Sequence, residues 1–402
     1  MHLRLLSCMN WLVPAALAWC LCLMAVAEKQ VLGEDGLMLI QAKRVYTMTG
    51  DVLQPGSVLV SDGKISLVGS DLQATDEMQV LQVDTLLPGL VDAYSRAGLA
   101  GGISELSREV TPELNTLRSI DWRSRQFREV ASEGTTCVNV VPGTDNVVAG
   151  FSCVVKTAGA VEQRVLDPRT GLVVSVCSDP VSRNRSRSRP DSIFVRQPTN
   201  RMGVVWILRS RLKLASGSPP SGLSKRDAEV HRILRGVQEG QHRVFGVSRA
   251  DFDIRSLLNI GAEFGFASVV FGGDEAYRMA DELAAQGTFV VYTALTTEGP
   301  LGAEGTELRW NVPGKLHDAG VAFCLAGGRL LEQARFAARF GLDRSVALQA
   351  VTSIPAKLLQ VDGRVGSIAS GLDADLVALN GDPLEFTTAI EWVMIDGKVI
   401  PN

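Results

Sequence analysis

The chain has 402 residues, 46% of them hydrophobic and 21% charged, with a formal net charge of −4. That balance is ordinary globular material and excludes a disordered or fibrous chain. It gives no basic footprint for nucleic acid, and the length suits either two domains or one barrel with an appendage.

Residues 1–27 read as a secretory signal peptide. Arg4 supplies the positive n-region, Trp11 to Met24 form a short apolar run, and Ala25-Val26-Ala27 is a small-x-small cleavage site. The run is slightly short for an uncleaved membrane anchor, and Trp19 is too bulky for the small residue that lipoprotein processing wants before Cys20. The expected mature protein is therefore exported, periplasmic or secreted, with no membrane attachment after cleavage. Cleavage removes Arg4 and no acid, leaving 39 Lys+Arg against 44 Asp+Glu, or −5.

From Leu37 to Asp84 the pattern is β-structure. Ser57–Ser61 and Lys64–Gly69 flank Asp62-Gly63, a dipeptide that favours a tight hairpin turn. After Pro88-Gly89, short apolar runs alternate with helical patterns. The runs are Leu90–Ala93, Thr136–Val141, Phe151–Lys156, Leu172–Cys177, Arg243–Val247, Ala267–Phe271, Phe289–Tyr292 and Val321–Leu325. Apolar residues on both faces predict a covered parallel sheet, and eight strand–helix units over some 270 residues match a TIM barrel in size.

Between the strands, Ser182 to Ser192 alternates arginine with serine. Four clustered guanidinium groups could attract an anion, although a solvated loop explains them as well. Ala215 to Ser224 reads as a flexible Ser/Pro/Gly linker. A helix is expected over Asp274–Gln286, with Ala276, Met279, Ala280 and Leu283 on one face and Gly287 ending it. Helices over Leu330–Phe340 and Arg344–Leu359 lead to strands at Val365–Ile368, Ala374–Leu379 and Trp392–Ile395, with Asp396-Gly397 as a second hairpin turn.

The expected fold class is thus α/β: a (β/α)8 TIM barrel over 88–363, inserted in a small composite β-sandwich built from both chain ends, 37–87 and 364–402. Four cysteines lie beyond the signal segment: Cys137, Cys153, Cys177 and Cys324. Each sits in an apolar strand-like run, so they read as buried thiols on separate strands although export would permit disulfides.

Six segments resemble the amidohydrolase superfamily, specifically its imidazolonepropionase-like branch. They are Leu86–Ala93, Pro142–Asn146 with Gly150, Thr199–Gly203, Glu275–Leu283, Pro355–Leu359 with Gly366-Ser367-Ile368, and Gly371–Val377 with Gly381-Asp382-Pro383. The resemblance implies metal-assisted hydrolysis of C–N bonds by zinc or another divalent ion that lowers the pKa of a bound water. It also implies ligands at the C-terminal ends of the strands: His-x-His after strand 1, a carboxylate or carbamylated lysine from strand 4, a histidine from each of strands 5 and 6, and an Asp after strand 8.

This chain departs from that pattern. Tyr94-Ser95-Arg96 stands where His-x-His is expected, and a guanidinium has no lone pair to donate. Val173, Phe245, Phe271 and Ala326 fall at or near the remaining ligand positions. Beyond the signal segment the only histidines are His231, His242 and His317, each read as a helix-packing or surface residue, His242 preceding strand 5 at the wrong end. No metal and no cofactor are therefore expected.

Asn146, Lys156, Cys177 and Cys324 are further candidates to line the pocket. A Lys or Cys there could act as a nucleophile if its pKa were lowered, but no assisting group is in view. Two functions compete: a pseudo-amidohydrolase serving as a binding or assembly module for a small molecule or a partner subunit, and a C–N hydrolase with an atypical site.

Overall fold

The structure is a computed structural model that describes residues 36–182, 197–293, 295 and 305–400. The signal segment and residues 183–192 of the Arg/Ser stretch lie outside the described residues.

Among the described residues, strands β1 (Met38–Val45), β2 (Gly56–Ser61), β3 (Lys64–Gly69) and β4 (Gln79–Pro88) come first. The barrel follows: β5 (Leu90–Ser95), α1 (Arg125–Ser132), β6 (Thr135–Val140), β7 (Val148–Phe151), β8 (Cys153–Lys156), β9 (Val165–Asp167) and β10 (Leu172–Ser175). It continues through α2 (Asp179–Ser182), α3 (Arg201–Ser216), α4 (Lys225–Gln238), β11 (Val244–Ser248), α5 (Asp251–Phe264), β12 (Ser268–Gly272), α6 (Ala280–Ala285), β13 (Val290–Tyr292), α7 (Val312–Asp318) and β14 (Phe323–Leu325). Helices α8 (Leu330–Arg339), α9 (Arg344–Gln349) and α10 (Ser353–Leu359) lead to β15 (Leu376–Leu379), β16 (Ile390–Ile395) and β17 (Lys398–Ile400).

Both chain ends share one seven-stranded sheet, ordered β17-β16-β15-β4-β1-β2-β3. Side-chain alternation feeds two cores. Leu86, Leu376, Ala378 and Met394 pack inside the sheet domain, while Leu87, Val377, Leu379, Val393 and Ile395 join the core shared with the barrel's helices. The two hairpin turns adopt positive φ at both central residues, Asp62-Gly63 and Asp396-Gly397, as tight two-residue hairpins require. They also touch: a Cβ on Gly63 would meet the Asp396 carbonyl at 2.9 Å, and one on Gly397 the Gly63 Cα at 2.8 Å. Only glycine allows that backbone approach.

The all-parallel expectation needs correction at the third barrel strand. β7 pairs antiparallel with β10, and β8 antiparallel with β6, whereas β10 to β14 run parallel. The cause is connection length. Only residues 141–147 join β6 to β7, and a parallel crossover needs a dozen or more. The strand must therefore return as a hairpin.

Three smaller expectations also differ. Val365–Ile368 forms no strand, because the chain turns at Gly366 (φ +90°), where a Cβ would strike Ala356 at 2.6 Å. The helix expected over 344–359 is two helices broken at Ala350–Thr352, with Thr352 out of helical geometry. The helix after β12 begins as a 3-10 turn over Ala276–Met279. Its buried face still includes Ala276, Met279 and Leu283.

Inside the barrel, Val91, Ala93, Val173, Phe245, Phe271, Cys324 and Ala326 form one packed core, with the Phe245 and Phe271 rings stacked 4.5 Å apart. No described helix is long and apolar enough to cross a membrane.

Candidate functional site

A cleft of about 540 Å³ opens at the C-terminal ends of the parallel strands, where barrel enzymes carry their sites. Its walls include Asp92, Tyr94 and Arg96 from β5 and the residue after it, Arg249 after β11, Thr293 after β13, and Gly327-Gly328 after β14.

Asp92 is the structural centre of the floor. Its Oδ1 accepts from the Tyr94 and Gly327 amides and its Oδ2 from Gly328, each at 2.9 Å. This carboxylate links strand 1 to strand 8. Burial pushes its pKa up to about 6, and the three N–H donors only partly oppose that rise.

Arg249 is locked in place. Its Nη1 and Nη2 donate to the two oxygens of Asp179, both at 2.8 Å, a bidentate pairing. Burial alone would raise the Asp179 carboxyl, but Arg249 and the Thr144 hydroxyl outweigh it and hold the group below its ordinary value. Thr144 Oγ1 donates to Asp179 Oδ2 and accepts from Arg96 Nη2 at 3.4 Å. Arg96 Nη2 also reaches the Tyr94 hydroxyl at 3.3 Å. Tyr94 itself stands edge-on against Phe271 at 5.4 Å, so the barrel core sets its position.

The candidates divide on inspection. Tyr94 and Arg96 line the cleft together. Val173, Phe245, Phe271 and Ala326 do not; they are buried in the barrel core beneath it. The expected alignment stopped short of the strand ends, where Arg249 and Gly327-Gly328 face the cleft instead. Asn146 is also buried, donating through Nδ2 to the carbonyls of Glu105 and Arg108 at 2.7 Å each, so it braces a loop.

Lys156 is the clearest correction. The expected third strand, Phe151–Lys156, would carry it to the mouth, but that strand runs backwards, and Lys156 pairs with Cys137 early in β6. It is fully buried at the opposite end, 2.8 Å from Asp373, 2.9 Å from Asp375 and 2.5 Å from Asp396. The thiols are no better as nucleophiles. All four are free and buried. Burial pushes Cys177 up to about 12 and Cys324 well above its ordinary value, which suppresses the reactive thiolate.

The residues present do not fit the metal centre the resemblance implied. Arg96 and Arg249 cannot coordinate, and both Asp92 oxygens are engaged by amides. Among the described residues no three His, Cys, Asp or Glu side chains are grouped to hold an ion. His231 is buried in α4, His317 lies in α7, and His242 precedes β11 with its ring edge-on to Phe151 at 5.2 Å. Sequence reasoning missed Arg249, Asp179 and the bridging role of Asp92. The signal lay in Ser248-Arg249-Ala250, one residue beyond β11.

Known proteins share this architecture. Residues 321–401 match a family model described as the amidohydrolase family. The amidohydrolase tasK of Hapsidospora irregularis is 23% identical over 397 residues, covering 85% of this chain. The chain spans 39% of the length of that curated relative. The crystal structure of an amidohydrolase from Thermotoga maritima MSB8 is similar with a TM-score of 0.79 at 27% identity, over 90% of this chain and 99% of that one. An adenosine deaminase from Xanthomonas campestris with bound zinc shares the fold at a TM-score of 0.52 and 17% identity, over 90% and 92% of the two chains.

Proposed function

The chain is an amidohydrolase-superfamily protein, and on that premise we propose that it is an exported pseudo-amidohydrolase, a binding or assembly module whose metal centre has degenerated. One observation carries the reading. Where the family's chemistry needs lone pairs converging on an ion, this cleft presents two guanidinium groups and a pair of glycines. Asp92, the carboxylate best placed to coordinate, instead ties the first strand to the last.

Export rests on the apolar segment and small-x-small site within residues 1–27. The partners this reading allows are a small-molecule ligand or a partner subunit, with neither nucleic acid nor membrane involved once the segment is cleaved.

A second reading, C–N hydrolysis at an atypical site, has one feature in its favour. A buried carboxyl with a pKa near 6 is in range for acid–base work near neutral pH. Its oxygens already accept three amide hydrogens, which leaves it little capacity to take a proton from substrate. Metal analysis of the purified mature protein, with an amide, lactam and dipeptide panel run with and without chelator, separates the two. The expected result is no stoichiometric zinc, manganese or iron and no turnover. An ion that survives dialysis, with activity lost on chelation, would overturn the pseudoenzyme reading.

A further inference from the structure

Arg96 and Arg249 stand in the same cleft in different electrostatic states. Arg249 spends its fork on Asp179. Arg96 is exposed to the cleft, and the polar contacts of its guanidinium are two hydroxyls at 3.3 and 3.4 Å, at or beyond the long end of hydrogen bonding. Among the described residues it makes no ion pair. The acidic groups in the same walls are otherwise occupied: Glu129 pairs with Arg125 at 2.8 Å, and Asp92 accepts three amides.

We propose that the cleft is a receptor for a small organic molecule bearing a single carboxylate, with Arg96 as the anchoring cation. The proposal rests on the reading of the cleft as a metal-free binding site. A guanidinium offers donors in a planar fork that matches a carboxylate. Here it stands at the cleft wall, its Cζ 5.9 Å from the Tyr94 ring centroid and its Nη2 3.4 Å from the Thr144 hydroxyl, with donor capacity left for a ligand. The volume, about 540 Å³, is that of a small-molecule site. Glu129 and Asp92 in the same walls repel every negative charge on a ligand, so a monocarboxylate is opposed less than a phosphate dianion.

The test is calorimetric titration of the full mature chain with N-acetylglycine at neutral pH, against its neutral amide and against inorganic phosphate. Arg96→Ala and Arg96→Lys are titrated alongside, with thermal melts to show that each is folded. The carboxylate is expected to bind about tenfold or more tighter than the amide, one charge-assisted contact's worth. Arg96→Ala should erase that preference and Arg96→Lys keep part of it. Absence of carboxylate binding, or a preference surviving in folded Arg96→Ala, refutes the anchor. Phosphate binding tighter than the carboxylate refutes the single-charge argument. Metal content is measured on the same sample: a bound ion sinks the metal-free reading whatever the titration gives, whereas a metal-free protein that ignores carboxylates sinks this inference alone.

Discussion

Replacing Lys156 with Met tests how the barrel is joined to the sheet domain. The substitution keeps the apolar stem and roughly conserves volume, so a cavity does not confound it. It leaves Asp373 and Asp375 buried without the ammonium that now lies 2.8 and 2.9 Å away. Breaking one partner from a buried pair costs about 3–5 kcal/mol. For a unit spanning Gly36–Asn402, an unfolding entropy of about 0.8 kcal/mol/K converts that into a fall in Tm of about 4–6 °C.

The pH dependence sharpens the test. At present burial raises Asp375 with Lys156 opposing, while around Asp373 the bonds from Lys156, Lys64 and Arg364 overcome burial and lower it. Without the ammonium both carboxyls move upward, Asp375 further above its unfolded value. Groups so shifted favour the folded state at low pH, and that contribution is lost as pH rises through the folded pKa. The variant should therefore lose more stability at pH 8 than at pH 5, read by circular dichroism melts of both proteins. A variant that melts like the wild type at pH 8, or loses more at pH 5, refutes the reasoning.

Asp92→Asn removes a buried titration. Because the folded pKa of about 6 lies above the ordinary carboxyl value, wild-type stability should fall by about 2 kcal/mol as pH rises from 4 to 7, and the variant's denaturation midpoint should be flatter over that range; equal slopes would contradict the assignment. Deleting Leu376–Asn402 strips β15 from the edge of β4, so amide exchange should accelerate across β2 and β3 as well, whereas a truncated protein that melts like the full chain would show the two ends to be independent. Tyr94→His with Arg96→His should bind zinc no better than micromolar and hydrolyse no amide, because Arg249 and Gly327-Gly328 still supply no ligand and two imidazoles make a weak site; nanomolar zinc with new turnover would mean the remaining ligands had been misplaced.

Local pattern alone settled a good deal of this protein. Two Asp-Gly dipeptides specified two hairpin turns, because positive φ at successive residues suits few other pairs. Alternating and continuous apolar runs marked the strands, since burial of one face or both leaves its period in the residue order. The scarcity of histidine set the expectation for the metal centre before any coordinates: only three histidines follow residue 27, and none stands in a His-x-His pair. Other features depend on where the chain returns in space. The reversal of β7 and β8 was legible in principle, because nine residues between the expected runs at Thr136–Val141 and Phe151–Lys156 leave no room for a crossover. Its consequence was not: only the fold carries Lys156 away from the mouth to aspartates more than 200 positions along the chain. The same holds for Asp92 reaching Gly327 and Gly328, and for the pairing of Arg249 with Asp179, whereas Arg96 makes no ion pair among the described residues. Side-chain type and spacing dictate what a residue can do, but its electrostatic state depends on neighbours supplied by remote parts of the chain.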